Sequence, residues 1–203
     1  MDRLWHDPCS FPGMVKHLIY AGLAATLSIA CNGLSAQAKP PLATEAEAKM
    51  IADFDARVKD YDALRAKVDG GAARQTQTSD TEKLVAQRRA LAANIQQARA
   101  AAKPGDIFTP DVQPFFKRLM KPALKGSDGA ENTKTIKEEK PAVAMQVNAS
   151  YPQGQPLSTV PPDVLVQLPK LPKDLEYRFV QRNLILYDAK ANLIVDYILN
   201  AIP

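Results

Sequence analysis

The sequence predicts an α+β protein in which a helical hairpin and a third helix precede a flexible proline-rich region and a small C-terminal three-stranded antiparallel meander. Two observations carry this prediction. Between residues 44 and 102, apolar residues recur mostly every three or four positions, which is typical of amphipathic helices. Between residues 175 and 198, three runs rich in β-branched and aromatic residues are separated by turn-forming groups. The helices therefore come first and the sheet last.

Residues 1–38 have the organisation of a cleavable secretory signal. The stretch that follows Lys16 is apolar at its centre and contains no Asp, Glu, Lys or Arg up to residue 38. Ala36 and Ala38 form the small-x-small pattern that signal peptidase accepts. Met14 is a better start than the first methionine, because it places Lys16 beside the apolar stretch. We therefore expect an exported protein of the periplasm or cell envelope.

Two alternatives to a freely soluble mature protein stay open. One is a permanent membrane anchor, for which the polar end of the stretch before residue 38 is unfavourable, since a span needs about 20 apolar residues. The other is a lipoprotein, because Leu27 to Cys31 resembles a lipoprotein box in which Cys31 is acylated. Ser28 stands where such boxes favour leucine. Contact with a membrane is expected only through lipidation of Cys31.

Cleavage after residue 38 removes both histidines, both cysteines and the single tryptophan of the chain. The mature chain then has no thiol nucleophile, no imidazole base and no histidine or cysteine to bind a metal. It also cannot form a disulfide. We therefore expect no cofactor, no metal site and no catalytic residue. The net charge of +4 is modest, and export argues against nucleic acid as a partner.

Residues 39–125 are predicted to be helical. Thr44 precedes two glutamates that suit a helix N-terminus, and Gly70-Gly71 ends the first helix. Ser79 or Asp80 can cap the second helix, which runs to about Ala102. The ten-residue connection indicates an antiparallel hairpin. The apolar stripes are compatible with a coiled coil but short for one. The first stripe consists of Ile51, Phe54, Val58, Tyr61, Leu64 and Val68.

A third helix is predicted after residue 106. Thr109 suits the N-cap and Pro110 suits the first helical position. Phe115-Phe116 belongs to an apolar face and is expected in the core. Pro122 and Gly126 are expected to close this helix.

Residues 126–160 are interpreted as a linker or loop. The part up to residue 141 is nearly all polar and has no periodicity, which favours an exposed segment. Val143, Met145 and Val147 alternate with small or polar residues and predict a short strand. Residues 161–203 comprise a proline-rich lead and the meander, with a strand or one helical turn over 163–168.

Five segments together resemble a group of uncharacterised secreted bacterial proteins. These segments are Phe54–Tyr61, Arg89–Arg99, Gly105–Pro110, Leu175–Val180 and Ala191–Ile198. The resemblance covers most of the mature chain; it implies an envelope location and assigns no activity.

The C-terminal segment is also similar to the end of the periplasmic nickel/cobalt homeostasis proteins, where a proline-rich lead enters an aromatic strand and a hairpin. The matching residues are Leu168–Pro172, Tyr177–Phe179 and Leu193–Asp196. That similarity implies a metal-related role. The absence of histidine and cysteine from the mature chain weakens it.

Three functions remain open from the sequence. The first is a non-catalytic interaction or structural module, whose partner is an envelope protein or a second copy of the chain. The second is a small-molecule or metal-sensing binding module with a pocket lined by Tyr177, Tyr187 and Tyr197. The third is a carboxylate-based hydrolase. For the last, Asp188 or Asp196 could be a buried acid with a raised pKa or one of a carboxylate pair; the expectation is instead that Asp188 shapes a turn and that Asp196 points to solvent.

Overall fold

The computed structural model describes residues 44–71, 80–139 and 141–202. Its elements in chain order are α1 (Glu45–Gly71), α2 (Thr81–Ala98), α3 (Val112–Lys125), α4 (Ser127–Glu138), β1 (Ser158–Thr159), α5 (Pro162–Leu165), β2 (Leu175–Val180), β3 (Asn183–Asp188) and β4 (Leu193–Ile198). The strands form one antiparallel sheet in the order β1-β2-β3-β4. The α+β class and the C-terminal meander are confirmed, with four strands where three were predicted.

Helices α1 and α2 form the predicted hairpin and begin at the predicted caps. The Thr44 hydroxyl accepts from the Glu47 N–H at 3.2 Å, and the Glu47 carboxylate accepts from the Thr44 N–H at 2.9 Å. The Asp80 carboxylate accepts from the two N–H groups of Glu82 and Lys83. Helix α2 ends at Ala98, four residues before the predicted end.

The start of α3 differs from the prediction. The Thr109 carbonyl, and not its hydroxyl, accepts from the N–H groups of Val112 and Gln113, at 2.9 and 3.1 Å. Asp111 holds the N-cap position without a side-chain hydrogen bond. Pro122 does not close the helix but lies inside its last turn, because the helix continues to Lys125. A proline at this point removes one donor from the helix and does not stop it.

Helix α4 occupies the first part of the segment that was interpreted as a polar loop, so that expectation is wrong here. Gly129, Thr133 and Ile136 form a narrow stripe along α4, in which Gly129 and Ile136 are buried. A Cβ atom on Gly129 would come within 1.8 Å of the Ala123 carbonyl oxygen. Glycine therefore lets α4 pack closely against α3, and this packing stabilises a helix whose sequence is mostly polar.

The sheet gains its fourth strand, β1, from the end of the segment 126–160 that was interpreted as a linker or loop. Ser158 pairs with Phe179 and Thr159 with Arg178. Strand β1 then stops, because the next residues include Pro161 and Pro162, which lack backbone donors and open the short helix α5. A strand of two residues leaves no periodicity to recognise in the sequence.

The predicted strand over residues 143–147 is absent, since this described segment has no strand structure. Val143 and Met145 instead pack their side chains against the sheet. Pairing begins only afterwards, where the Asn148 N–H donates to the Ile194 carbonyl at 2.8 Å and Ser150 forms an isolated bridge with Leu193.

The sheet separates two apolar clusters, as expected when side chains alternate between the faces of a strand. Leu184 and Leu186 belong to the larger cluster, whereas Ile185 and Tyr187 belong to the smaller one. The larger cluster joins helices and sheet through four rings, namely Phe54, Phe108, Phe116 and Tyr177, with neighbouring centroids 4.9 to 6.1 Å apart. The Phe115-Phe116 pair is buried in it, as predicted.

The predicted signal and lipidation features at Met14, Cys31, Ala36 and Ala38 lie outside the described residues, and export stays a prediction. Over the described ranges, no helix combines the length and the apolar character that crossing a bilayer requires.

Candidate functional site

Asp196 is a fully buried carboxylate, which corrects the expectation that it points to solvent. One oxygen accepts from the N–H groups of Ile107 and Phe108, both at 2.8 Å. The other accepts from the N–H groups of Gly105 and Tyr197, at 3.0 and 2.8 Å. Gly105 has a φ of +89°, which glycine adopts without strain. Asp196 therefore ties the α2–α3 connection to β4, and both of its oxygens are occupied.

Asp188 is also fully buried, and it shapes a turn as predicted. One of its oxygens accepts from the N–H groups of Lys190 and Ala191, at 3.0 and 2.9 Å. The other accepts from the Tyr61 hydroxyl at 2.8 Å. The Arg65 guanidinium lies 3.7 Å from this carboxylate. Asp188 thus connects β3 to helix α1.

Two arginines, one on α1 and one directly after the end of α2, complete this polar cluster. Arg65 is nearly buried and also donates to the Asp62 carboxylate and to the Lys173 carbonyl, at 2.6 and 2.9 Å. The Arg99 guanidinium lies over the Tyr61 ring, 5.0 Å from its centroid, and donates to Asn148. Sequence reasoning missed both arginines. The available signal for Arg65 was its position directly after Leu64 of the first apolar stripe, where a long side chain can lie along apolar surface.

Burial shifts the pKa values of Tyr61 and Arg99. It raises the pKa of the Tyr61 hydroxyl, and the adjacent Asp188 carboxylate raises it further. Burial also lowers the pKa of the Arg99 guanidinium, against the opposing effect of Tyr61 and Asp196. A shallow depression of about 240 Å³ reaches Tyr61 and Arg99, but it reaches neither Asp188 nor Asp196. The carboxylates are therefore shielded, and their hydrogen bonds hold the fold together.

A larger cavity of about 560 Å³ lies between α5, the following proline-rich segment and β2. We call it the β2 groove, and it is lined by Thr159, Val160, Leu165, Leu168, Pro169, Lys170, Leu171, Leu175, Glu176, Tyr177 and Arg178. Most of these side chains are apolar. Leu165 is 48% exposed at its rim, and Val166 beside it is 77% exposed. The size and the apolar lining of the groove suit a ligand or partner.

Tyr177 supports the floor of the β2 groove. It is 4% exposed, and its hydroxyl donates to the Pro169 carbonyl at 3.1 Å. Burial raises its pKa well above the ordinary tyrosine value. The pocket predicted from three tyrosines does not form, because Tyr177 belongs to the larger cluster whereas Tyr187 and Tyr197 lie with the smaller one.

No set of three or more carboxylate, histidine or cysteine side chains is placed to hold a metal ion within the described ranges. No protein-family model matches the chain, and neither the curated proteins nor the solved structures contain a significant match to it. The resemblances to secreted proteins and to nickel/cobalt homeostasis proteins stay predictions from the sequence.

Proposed function

We propose that the chain is a non-catalytic interaction module of the bacterial envelope and that it binds an envelope partner through the β2 groove. The observation that carries the proposal is an apolar cavity of about 560 Å³ with half-exposed Leu165 at its rim. An exposed apolar surface of this kind is stabilised when a partner removes it from water. The envelope location rests on the secretory pattern of residues 1–38.

Catalysis by the buried carboxylates has little support. A hydrolytic carboxylate must reach its substrate or an activated water. Asp188 and Asp196 are both 0% exposed, and their oxygens accept hydrogen bonds from the fold itself. This arrangement favours a structural role for both residues.

The test compares two leucines that are equally exposed on helices. Leu165 is 48% exposed in the β2 groove, and Leu84 is 47% exposed on α2. Leu165→Glu places a negative charge in the β2 groove, whereas Leu84→Glu places the same charge on the surface of α2, outside the groove. Tagged precursors of both variants and of the wild type are expressed in the native host, and envelope partners are recovered after gentle solubilisation.

We expect a stoichiometric partner with the wild type and with Leu84→Glu, and its loss with Leu165→Glu, because the charge must be desolvated on binding. Equal recovery in all three samples would exclude the groove as the interface. Mass spectrometry of the recovered chain also reads its N-terminus and any acyl group on Cys31, so one sample tests export as well.

A second candidate function is the binding of an apolar small molecule in the same groove. Its volume falls in the range of small-molecule sites. A ligand that raises the melting temperature of Leu84→Glu but not of Leu165→Glu would favour this candidate.

A further inference from the structure

The outer edge of β2 is open beside the groove. Strand β1 pairs with Arg178 and Phe179 alone, so Leu175, Glu176 and Tyr177 have no strand partner on that side among the described residues, although the Leu175 N–H already donates to the Pro172 carbonyl at 3.2 Å. Backbone groups at an open sheet edge are a template for another strand. The chain cannot extend β1 along this edge, because Pro161 and Pro162 turn it into α5.

The β2 groove lies along this open edge. Three of its lining residues, Leu175, Glu176 and Tyr177, are the residues of β2 that lack a strand partner on the β1 side. Leu165, Leu168 and Leu171 line it as well. A segment that pairs with the edge would direct alternate side chains to the same face as these leucines. The site thus offers an apolar surface to every second residue of an extended chain.

The charges of the groove favour an acidic ligand. Arg178 and Glu176 are already paired with each other, with 2.7 Å between Arg178 Nε and Glu176 Oε2. Lys170 also lines the groove, and it forms no ion pair with any described residue. A carboxylate on the ligand is therefore the group that complements the one unmatched charge.

We propose that the β2 groove binds an extended segment of a partner protein, which adds to the edge of β2 as a further strand and places a carboxylate near Lys170. The inference rests on the proposed function and specifies the partner's chemistry. The edge from Leu175 to Tyr177 spans about 10 Å at about 3.3 Å per residue, so a segment of about four to six residues covers it and extends beyond its ends. Main-chain pairing supplies affinity, and the alternating apolar side chains supply selectivity.

The first experiment selects random heptapeptides displayed on phage against the full mature chain. We expect enriched peptides that alternate apolar residues and carry an acidic residue. They bind Leu84→Glu as they bind the wild type, and they lose binding to Leu165→Glu. Lys170→Glu weakens their binding about tenfold or more, which is the size expected from losing one charged contact. Lys67→Glu, on the exposed surface of α1, leaves it unchanged.

The second experiment tests the backbone pairing by N-methylation of the best peptide at each position in turn. Methylation of a peptide nitrogen removes one hydrogen-bond donor. We therefore expect methylation at every second position to lower the affinity of the peptide about tenfold, and methylation at the positions between them to lower it little. If methylation is harmless at every position, the strand is excluded, although groove binding itself and the proposed function survive.

Other outcomes overturn the proposal more completely. No enriched peptide, or peptides that bind Lys170→Glu and Leu165→Glu as well as the wild type, would show that this groove does not take a strand. Palmitate that binds the wild type but not Leu165→Glu, without any enriched peptide, would assign the groove to an apolar small molecule. Melting curves of each variant establish that it is folded, and Lys170→Glu decides the result if Leu165→Glu does not fold.

Discussion

Asp196 shows how a single acidic side chain can organise a connection that has no regular structure. Four backbone N–H groups point at its two oxygens, and three of them belong to residues 105–108. Backbone groups in a buried turn need such partners, because an unpaired donor away from water costs free energy. The carboxylate provides them where no strand or helix does.

Replacement of Asp196 tests this role. Asp196→Asn keeps the shape but turns an NH₂ group towards backbone donors, so we expect the free energy of unfolding to fall by about 2–4 kcal/mol. Asp60→Asn is the matched control, because Asp60 is exposed on α1. Urea titration measures both changes. An Asp196→Asn variant as stable as Asp60→Asn would contradict the structural role.

Among the elements, α1 and α2 show what makes an element predictable. Each is long, has an apolar stripe, and begins at a side-chain cap that is visible in the sequence. Their stripes meet in the core, where Phe54 and Ile95 are 0% exposed. Local pattern and tertiary packing agree in these helices, and both lie close to their predicted positions.

Ile95 and Leu84 provide a matched pair of changes on the same helix. Ile95→Ala leaves a cavity in the core and should lower the free energy of unfolding by about 2–5 kcal/mol. Leu84 is 47% exposed, and Leu84→Ala should change the free energy of unfolding by less than about 1 kcal/mol. Thermal and urea unfolding of both variants measure the difference. Similar losses would mean that α2 is not packed through Ile95.

The elements missed by sequence reasoning share a dependence on distant contacts. Helix α4 has a narrow stripe and relies on the close approach of Gly129 to Ala123. Strand β1 is two residues long and exists through its pairing with β2. The buried position of Asp196 depends on donors from residues 105–108. Periodicity and capping describe near neighbours along the chain, so none of these features could be read from them.

The β2 groove was equally inaccessible from the sequence. Its walls come from α5, from the segment after α5 and from β2. The sequence predicted a proline-rich lead and a strand in these places, but it did not predict that the two enclose a groove. Tyr177 lines this groove, but the sequence placed it in a different pocket, together with two other tyrosines. Its expected companions Tyr187 and Tyr197 lie with the other cluster because the side chains alternate between the two faces of the sheet.

For the molecule as a whole, burial of tyrosine links stability to pH. Tyr61 and Tyr177 are each 4% exposed, and burial raises the pKa of both hydroxyls. The folded protein therefore keeps protons that the unfolded chain releases above the ordinary tyrosine pKa of about 10. This contribution to stability is complete below about pH 10 and is lost as the pH rises towards the raised values of the folded state.

Tyr61→Phe tests this link. Above pH 10 the free energy of unfolding of the wild type should fall more steeply with pH than that of Tyr61→Phe, by up to about 1.4 kcal/mol per pH unit. At neutral pH the variant should be less stable, because the hydrogen bond to Asp188 is gone. Urea titrations between pH 8 and about pH 11 give both slopes, and parallel slopes would show that Tyr61 ionises freely in the folded state.

The hydrogen bonds of Asp196 also determine when, during folding, the turn between α2 and α3 can be completed. They join residues that are 88, 89 and 91 positions apart, and contacts of such long sequence separation make folding slow. During synthesis, the turn over residues 105–108 has no acceptor until β4 has emerged from the ribosome. The turn that joins α2 to α3 therefore stays without its carboxylate partner while most of the chain is being made, and it can close only together with β4.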